Sequence, residues 1–298
     1  KAGLLLDRVA DVYAGFDFAQ QAVIYERRME SAGYVSVWHD ACEETRELAQ
    51  GYDAVFDAIA EDADLVALLR AKAAQHGLEN RKESFADIRR NIEDRILRDA
   101  LDHISKITSN YPRTPIAIAT IKAVLDWSGS RDEVYAIIDD FLRRATSVDG
   151  VTGEKGLAGY SAFGLQSTAL FLAMWDRAIP GFLEEMLDRH PKLHDMYRFH
   201  VDTWCFTRYY PLVGDTGWFA TRTDQYQGVR FQRFGDASVS SRRDPVLAPS
   251  MFTFMGRLHE LTRNPAFIQV LYLANDRAVA GRWRSRGVYR VCSREVDH

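Results

Sequence analysis

Apolar residues recur at three- and four-residue steps along most of the chain. In residues 83–104 charged residues fill the gaps between them, which predicts a half-exposed amphipathic helix. Residues 116–125 (IAIATIKAVL) are apolar on nearly every face and follow Pro112 and Pro115, so they predict a buried helix. Residues 134–142 return to a single apolar stripe. Buried and half-exposed helices therefore alternate.

This alternation continues in the rest of the chain. Residues 162–175 predict a buried helix and residues 180–189 a short amphipathic one, and the other predicted helices cover about 7–30, 43–77, 251–261 and 265–275. Such a succession, with few strand-like runs, is typical of stacked helix hairpins in a solenoid or a closed α/α toroid. No sequence repeat supports the solenoid.

Residues 209–249 interrupt the helical pattern. They are rich in Gly, Asp, Thr, Ser, Arg and aromatic residues and lack a sustained period of 3.6. This stretch is longer than most connections between helices, and long ordered loops tend to be functional. We therefore expect a functional loop at about 209–249.

Composition excludes disordered and fibrous classes, because 298 residues that are 47% hydrophobic can bury a large core. The net charge of −4 conceals an asymmetry: residues 201–298 hold 14 Arg, no Lys and 9 acidic residues, an excess of five positive charges. Arginine binds carboxylate and sulfate in bidentate fashion. On charge alone, nucleic acid or a solvated face fits equally well.

Three cysteines are too few and too scattered for a disulfide framework or a thiolate metal site. No run approaches the roughly 20 apolar residues of a membrane span. The chain opens on Lys1 without a signal peptide, although a leader can have been removed.

Two short segments carry candidate chemistry in the middle of the chain. Asn110, in the sequence SNYP before the buried helix, presents an amide donor at the rim of a cleft or else caps the helix. The loop DGVTGEKGLAG, with four glycines, ends at Tyr160. The ordinary pKa of a tyrosine is about 10, so Tyr160 needs a nearby positive charge, such as Lys155, to act as a base. The alternative is an ordinary half-buried aromatic residue.

The third segment, residues 197–219 (YRFHVDTWCFTRYYPLVGDTGWF), packs aromatic residues, arginines and a histidine densely. Flat rings with ionic groups between them suit a sugar-binding groove. An aromatic-rich core helix followed by a turn explains the same pattern.

Taken together, the Asn-aromatic pair, the DG…GE…GY loop and YYPLVGDTGWF resemble heparinase II/III-like polysaccharide lyases. The 50 residues from Asn110 to Tyr160 suit that family's pairing of a charge-neutralising Asn with a catalytic Tyr. The resemblance implies an incomplete (α/α) toroid with inner and outer helices, a single domain over 1–298. The family's β-sandwich and its His-rich segment are absent, and Tyr111 stands where many relatives have His or Trp.

The resemblance further implies a lyase that cleaves a uronic-acid-containing glycan, heparan sulfate-like or alginate-like, by β-elimination without cofactor or metal. Tyr160, Asn110 and His200 would be catalytic, and the implied substrate-binding residues are Tyr111, Glu154, Arg208, Tyr209, Tyr210, Asp215 and Trp218. The expected partner is an acidic polysaccharide, not nucleic acid or a membrane, for an enzyme that is periplasmic or secreted.

Two alternatives remain open. One is an inverting glycoside hydrolase on an α/α toroid, which needs two carboxyl groups roughly 6.5–9.5 Å apart. Asp149, Glu154 and Asp215 would supply them. The other is a non-catalytic, acidic-glycan-binding remnant.

Overall fold

The computed structural model describes residues 1–16, 41–147, 160–203, 209–211, 231–233, 249–274 and 277. Across these residues the backbone is mainly helical, which confirms a mainly α fold. The chain divides into two compact units, Lys1–Ile138 and Asp139–His298. Closure into a toroid and the single domain over 1–298 stay predictions.

The first unit is built from helices joined by short turns. Its elements are α1 (Ala2–Tyr13), α2 (Ala41–Ala60), α3 (Ala63–Gln75), α4 (Phe85–Ile92), a π-helical segment (Glu93–Arg98), α5 (Asp99–Asp102), a 3-10 turn (Ile104–Ile107) and α6 (Arg113–Ala145), which continues into the second unit. Helix α1 packs against α2, α3, α4 and the π-helical segment. Its contact with the second and third helices is close, because a β-carbon at Gly3 would lie 2.8 Å from Leu65 and 2.9 Å from Ile59.

Two predicted helices end earlier than the periodicity suggests. The predicted helix 43–77 splits because the Asp62 carboxylate accepts a hydrogen bond from Leu65 N (2.8 Å) and so starts α3 afresh. That helix ends before Gly77, whose φ of +61° suits glycine. The predicted helix 7–30 begins at residue 2 and stops at Tyr13, and its part beyond residue 16 lies outside the described residues.

The predicted continuous helix 83–104 contains a π-helical segment at its centre. The Glu93 carboxylate lies buried at the start of this segment and accepts hydrogen bonds from three donors: Tyr52 Oη at 3.1 Å, Arg89 Nε at 2.9 Å and Arg98 Nη2 at 3.2 Å. A buried carboxylate with three donors is well satisfied, so this cluster serves the fold.

Helix α6 is broken at Asp126, whose backbone leaves the helical region (φ −163°, ψ 85°). Asp126 Oδ1 accepts a hydrogen bond from Gly129 N at 3.0 Å and so caps the second half of the helix. Ser130 Oγ donates to Lys122 O at 3.1 Å, whereas eight residues of unbroken helix would span about 12 Å. The chain therefore turns back on itself here, between the two helices that the apolar pattern predicts.

The second unit contains a group of helices and one small ribbon. Its elements after α6 are α7 (Tyr160–Ala178), α8 (Phe182–Arg189), α9 (Lys192–Asp202), β1 (Tyr209–Pro211), β2 (Phe231–Arg233), α10 (Pro249–Thr262) and α11 (Pro265–Ala274). Helix α7 packs against α8 and α10, and α11 packs against α9 and α10. The antiparallel ribbon pairs Tyr209 with Arg233 inside the stretch 209–249, which periodicity left without structure.

Polar side chains fix the helix starts of this unit as well. Asp176 Oδ1 accepts from Leu183 N at 3.0 Å, and Asn264 Oδ1 accepts from Ala266 N at 3.0 Å. Gly181, with a φ of +85°, makes the turn before α8. Over the described residues, no helix is both long and apolar enough to span a membrane.

Replacing Asp126 with alanine removes the cap at the break in α6. We expect the free energy of unfolding to fall by about 1 kcal/mol, because the first N–H groups of the second half lose their acceptor. Urea denaturation measures this change. Asp132→Ala, at an exposed position in the same half, is the matched control and should change stability by less than about 0.5 kcal/mol. Equal stability of Asp126→Ala and the parent would contradict the cap.

Candidate functional site

The turn before α6 presents Asn110, one of the residues singled out by the motifs. Thr114 Oγ1 accepts a hydrogen bond from Ser109 N at 2.8 Å and donates to Ile107 O at 3.0 Å. Arg113 N donates to the backbone carbonyl of Asn110 at 3.0 Å. Backbone groups and the threonine hydroxyl therefore hold the turn.

The side-chain amide of Asn110 takes no part in this turn. It is half-buried, and in the described part of the chain it makes no hydrogen bond. Asn110 therefore does not cap the helix through its side chain, although its backbone carbonyl accepts a hydrogen bond from Arg113 N. The next residue, Tyr111, is half-buried and precedes a cis peptide bond to Pro112.

An ion-pair cluster adjoins this turn on the first turns of α2 and α6. Glu43 Oε2 contacts Arg46 Nη2 at 2.6 Å, and Glu43 Oε1 lies 3.6 Å from Arg113 Nε. The Arg46 side chain is only 7% exposed, and its buried Nε has no hydrogen-bond partner among the described residues. Arg46 Nη2 also lies 4.0 Å from Glu47 Oε1, so Arg46 contacts two glutamates, and Glu43 links it to Arg113.

Cys42 completes the cluster from the position before Glu43. Its thiol is fully buried, and burial, followed by the nearby Glu43 carboxylate, raises the pKa of Cys42 to about 11. Ser109, Arg113 and Arg46 oppose that rise, which places them around the thiol. The Ser109 hydroxyl oxygen is itself buried, and among the described residues it has no partner with hydrogen-bond geometry.

The other predicted catalytic residues lie on helices of the second unit. Tyr160 is the first residue of α7, at the position expected from the glycine-rich loop before it. His200 lies near the end of α9. Their side chains are outside the described part of the structure, so both roles stay predictions.

The predicted substrate-binding residues are described only in part. Tyr209 and Tyr210 form β1 with Pro211. Glu154, Arg208, Asp215 and Trp218 lie outside the described residues, as does Asp149, the further carboxylate of the hydrolase alternative. Within the described ranges, no group of three or more His, Cys, Asp or Glu residues is placed to hold a metal ion.

Sequence reasoning missed Cys42, Glu43 and Arg46. The spacing of Glu43 and Arg46 signals an i,i+3 pair on a helix, but such pairs are usually solvated. Nothing in the local pattern links them to Arg113, because that contact depends on how the 3-10 turn packs against α2. Only the folded chain brings the arginines beside the Asn110 turn.

No protein-family model matches the chain, and neither a curated protein nor a solved structure shows a significant match. The resemblance to heparinase II/III-like lyases therefore rests on the three sequence segments. The roles that it implies stay predictions.

The raised pKa of Cys42 predicts an inert thiol. In a Cys205→Ser/Cys292→Ser background, Cys42 is the sole thiol. With a pKa of about 11, only about one thiol in a thousand is ionised at pH 8. We expect labelling by a disulfide reagent to be at least ~100-fold slower in the folded chain than in guanidinium, and to accelerate as pH rises toward 11. Equally fast labelling in both states would contradict the packing of this cluster.

Proposed function

We propose that the chain is a polysaccharide lyase that cleaves a uronic-acid-containing glycan, heparan sulfate-like or alginate-like, by β-elimination. The observation that carries the proposal is the side-chain amide of Asn110, which makes no hydrogen bond to the described residues and lies in the turn directly before Arg113 and its ion pair with Glu43. An amide donor next to arginine is a chemical match for a carboxylate.

The reaction removes the proton on C5 of the uronate, and the glycosidic oxygen on C4 leaves. A proton next to an ionised carboxylate is very weakly acidic, because its removal adds a second negative charge. Hydrogen-bond donors whose bonds to the carboxylate strengthen as this charge develops lower the activation barrier of proton removal. We assign this role to the Asn110 amide and to the guanidinium of Arg113.

Arg113 suits the role because its guanidinium is partly exposed and lies in the first turn of α6, next to the Asn110 turn. Glu43 sits closer to Arg46, at 2.6 Å, than to Arg113, at 3.6 Å. The Arg113 side chain is 20% exposed, whereas Arg46 is almost wholly buried. Arg46 therefore holds the glutamate, and Arg113 keeps a face toward solvent.

Tyr160 is assigned the proton transfer, as base, acid or both, with His200 assisting. A phenolate requires stabilisation at neutral pH. The first residue of a helix is a favourable position for it, since the N-terminal end of a helix carries partial positive charge. The remaining motif residues, Tyr111, Glu154, Arg208, Tyr209, Tyr210, Asp215 and Trp218, are proposed to bind the sugar chain.

The test is incubation of the chain with heparan sulfate, heparin and alginate while following ultraviolet absorbance, because β-elimination leaves an unsaturated uronate. We expect absorbance to rise with the parent and the rate to fall about 10²- to 10⁴-fold in Tyr160→Phe. Tyr272→Phe, at an exposed position of α11, is the matched control and should keep the parental rate. New reducing ends without a rise in absorbance would favour the hydrolase instead. The absence of both new reducing ends and absorbance would favour a binding module.

Variants at the carboxylate-binding groups make a separate prediction. Asn110→Asp keeps the shape but places a negative charge against the carboxylate, and Arg113→Gln removes the opposing charge. We expect each to lower kcat/KM by about 100-fold or more, with Arg113→Lys losing less. Arg143→Gln, an exposed position of α6, is the control. Parental kinetics in Asn110→Asp and Arg113→Gln would contradict the binding of the carboxylate by these two residues, but not the lyase activity itself.

A further inference from the structure

A cleft of about 330 Å³ opens in the first unit between α1, α3 and residues 78–82. It shares no residue with the cluster around Asn110. Its volume is at the small end of the range for ligand pockets, which is about 300–1,000 Å³. It can hold one ring-sized molecule and not a chain of them.

The floor of the cleft is charged and buried. Asp7 is 1% exposed and Lys82 is 3% exposed. Lys82 Nζ lies 3.6 Å from Asp7 Oδ1 and 3.4 Å from Asp11 Oδ1, and it donates to Asn80 O at 3.1 Å. These distances exceed the roughly 2.7–2.9 Å of a tight charge-assisted hydrogen bond, so the ammonium is loosely held.

The hydrogen bonds of the Asp7 carboxyl group are concentrated on one of its two oxygens. Asn91 Nδ2 donates to Asp7 Oδ1 at 2.9 Å, and Lys82 faces the same oxygen. Within the described ranges no hydrogen bond reaches Asp7 Oδ2. Asp7 Oδ2 is not among the fully buried atoms that lack a partner, and Asp7 lines the cleft, so a ligand hydroxyl in the cleft can reach this oxygen as an acceptor.

The rim of the cleft is basic. Arg8, Lys72 and His76 line it at exposed positions. Arg8 is paired with Asp11 at 3.2 Å, whereas the Lys72 ammonium donates to the neutral Gln75 at 2.9 Å. Together with Lys82, the lining has three permanent positive charges against two carboxylates, an excess of one.

Apolar surface lies beside these polar groups. Leu69 and Ala73 are buried in the lining, and Leu78 is 38% exposed. An apolar wall next to a donor and an acceptor suits a sugar ring, whose C–H face is apolar and whose edge carries hydroxyls.

We infer that this cleft binds a single small polyhydroxylated carboxylate, of the class of a free hexuronate. The ring hydroxyls bond Asp7 Oδ2 and the Lys82 ammonium, and the ring face packs on Leu69 and Ala73. The carboxylate lies at the rim, where Lys72 supplies the uncompensated charge. This inference does not rest on the proposed lyase activity.

The test is calorimetric titration of the chain with D-glucuronate, with D-glucose as the uncharged probe and acetate as the carboxylate without hydroxyls. We expect saturable binding of glucuronate at least tenfold tighter than of either other probe. Ala73→Leu fills the cleft and should weaken glucuronate binding at least tenfold. Ala74→Leu, the exposed neighbour on α3, should change it less than twofold.

Lys72→Gln provides a second variant at an exposed position that leaves the fold intact, and it should weaken glucuronate binding about threefold to tenfold without affecting glucose. No saturable binding of glucuronate would overturn the inference. So would parental affinity in both Ala73→Leu and Lys72→Gln, or equal affinity for glucose and glucuronate. Because binding is the readout and Tyr160→Phe should bind like the parent, failure here is distinct from failure of the lyase proposal.

Discussion

The turns between helices depend on short polar side chains that accept hydrogen bonds from the first turn of the next helix. Asp62 does this for α3, Asp126 for the second half of α6, Asp176 for α8 and Asn264 for α11. The first N–H groups of a helix have no partner inside it, and burying one unpaired costs about 1–3 kcal/mol. Each cap therefore sets where one helix stops and the next begins to pack.

The turn that presents Asn110 is held by a different kind of contact. Thr114, in the first turn of α6, accepts a hydrogen bond from Ser109 N and donates one to Ile107 O, and both partners precede Asn110. Had Asn110 supplied those contacts, its amide would be consumed by the fold. Because a threonine four residues further on does so, the amide is left for other chemistry.

The apolar periodicity predicts the helices well where one face is buried against neighbours. Residues 116–125 and 134–142 are helical as expected, and the helix predicted at 180–189 spans Phe182–Arg189, since burial leaves a regular stripe in the sequence. Helix breaks are harder to predict from the sequence. A capping aspartate such as Asp126 resembles any exposed polar residue until the N–H group that donates to it is known. Glycines at helix ends are easier to recognise in the sequence, and among the described residues Gly77 and Gly181 have a positive φ.

The candidate site is predictable only in its local part. Asn110 and Tyr160 stand at helix boundaries that motif and pattern both indicate. The pairing of Glu43 with Arg113 joins residues 70 positions apart, and no spacing rule reaches across that separation. The electrostatics beside Asn110 is thus a product of tertiary packing.

Buried charges in the first unit differ in how fully their hydrogen-bonding atoms are satisfied. Glu93 meets three donors, as expected for a group that only supports the fold. Arg46 and Asp7 are as deeply buried, but among the described residues Arg46 Nε has no hydrogen-bond partner, and the hydrogen bond from Asn91 reaches Asp7 at Oδ1. Buried ion pairs often add little stability compared with apolar residues of the same volume. Stability therefore does not by itself explain the buried charge of Asp7, and the ligand that we propose for the cleft would use its second oxygen.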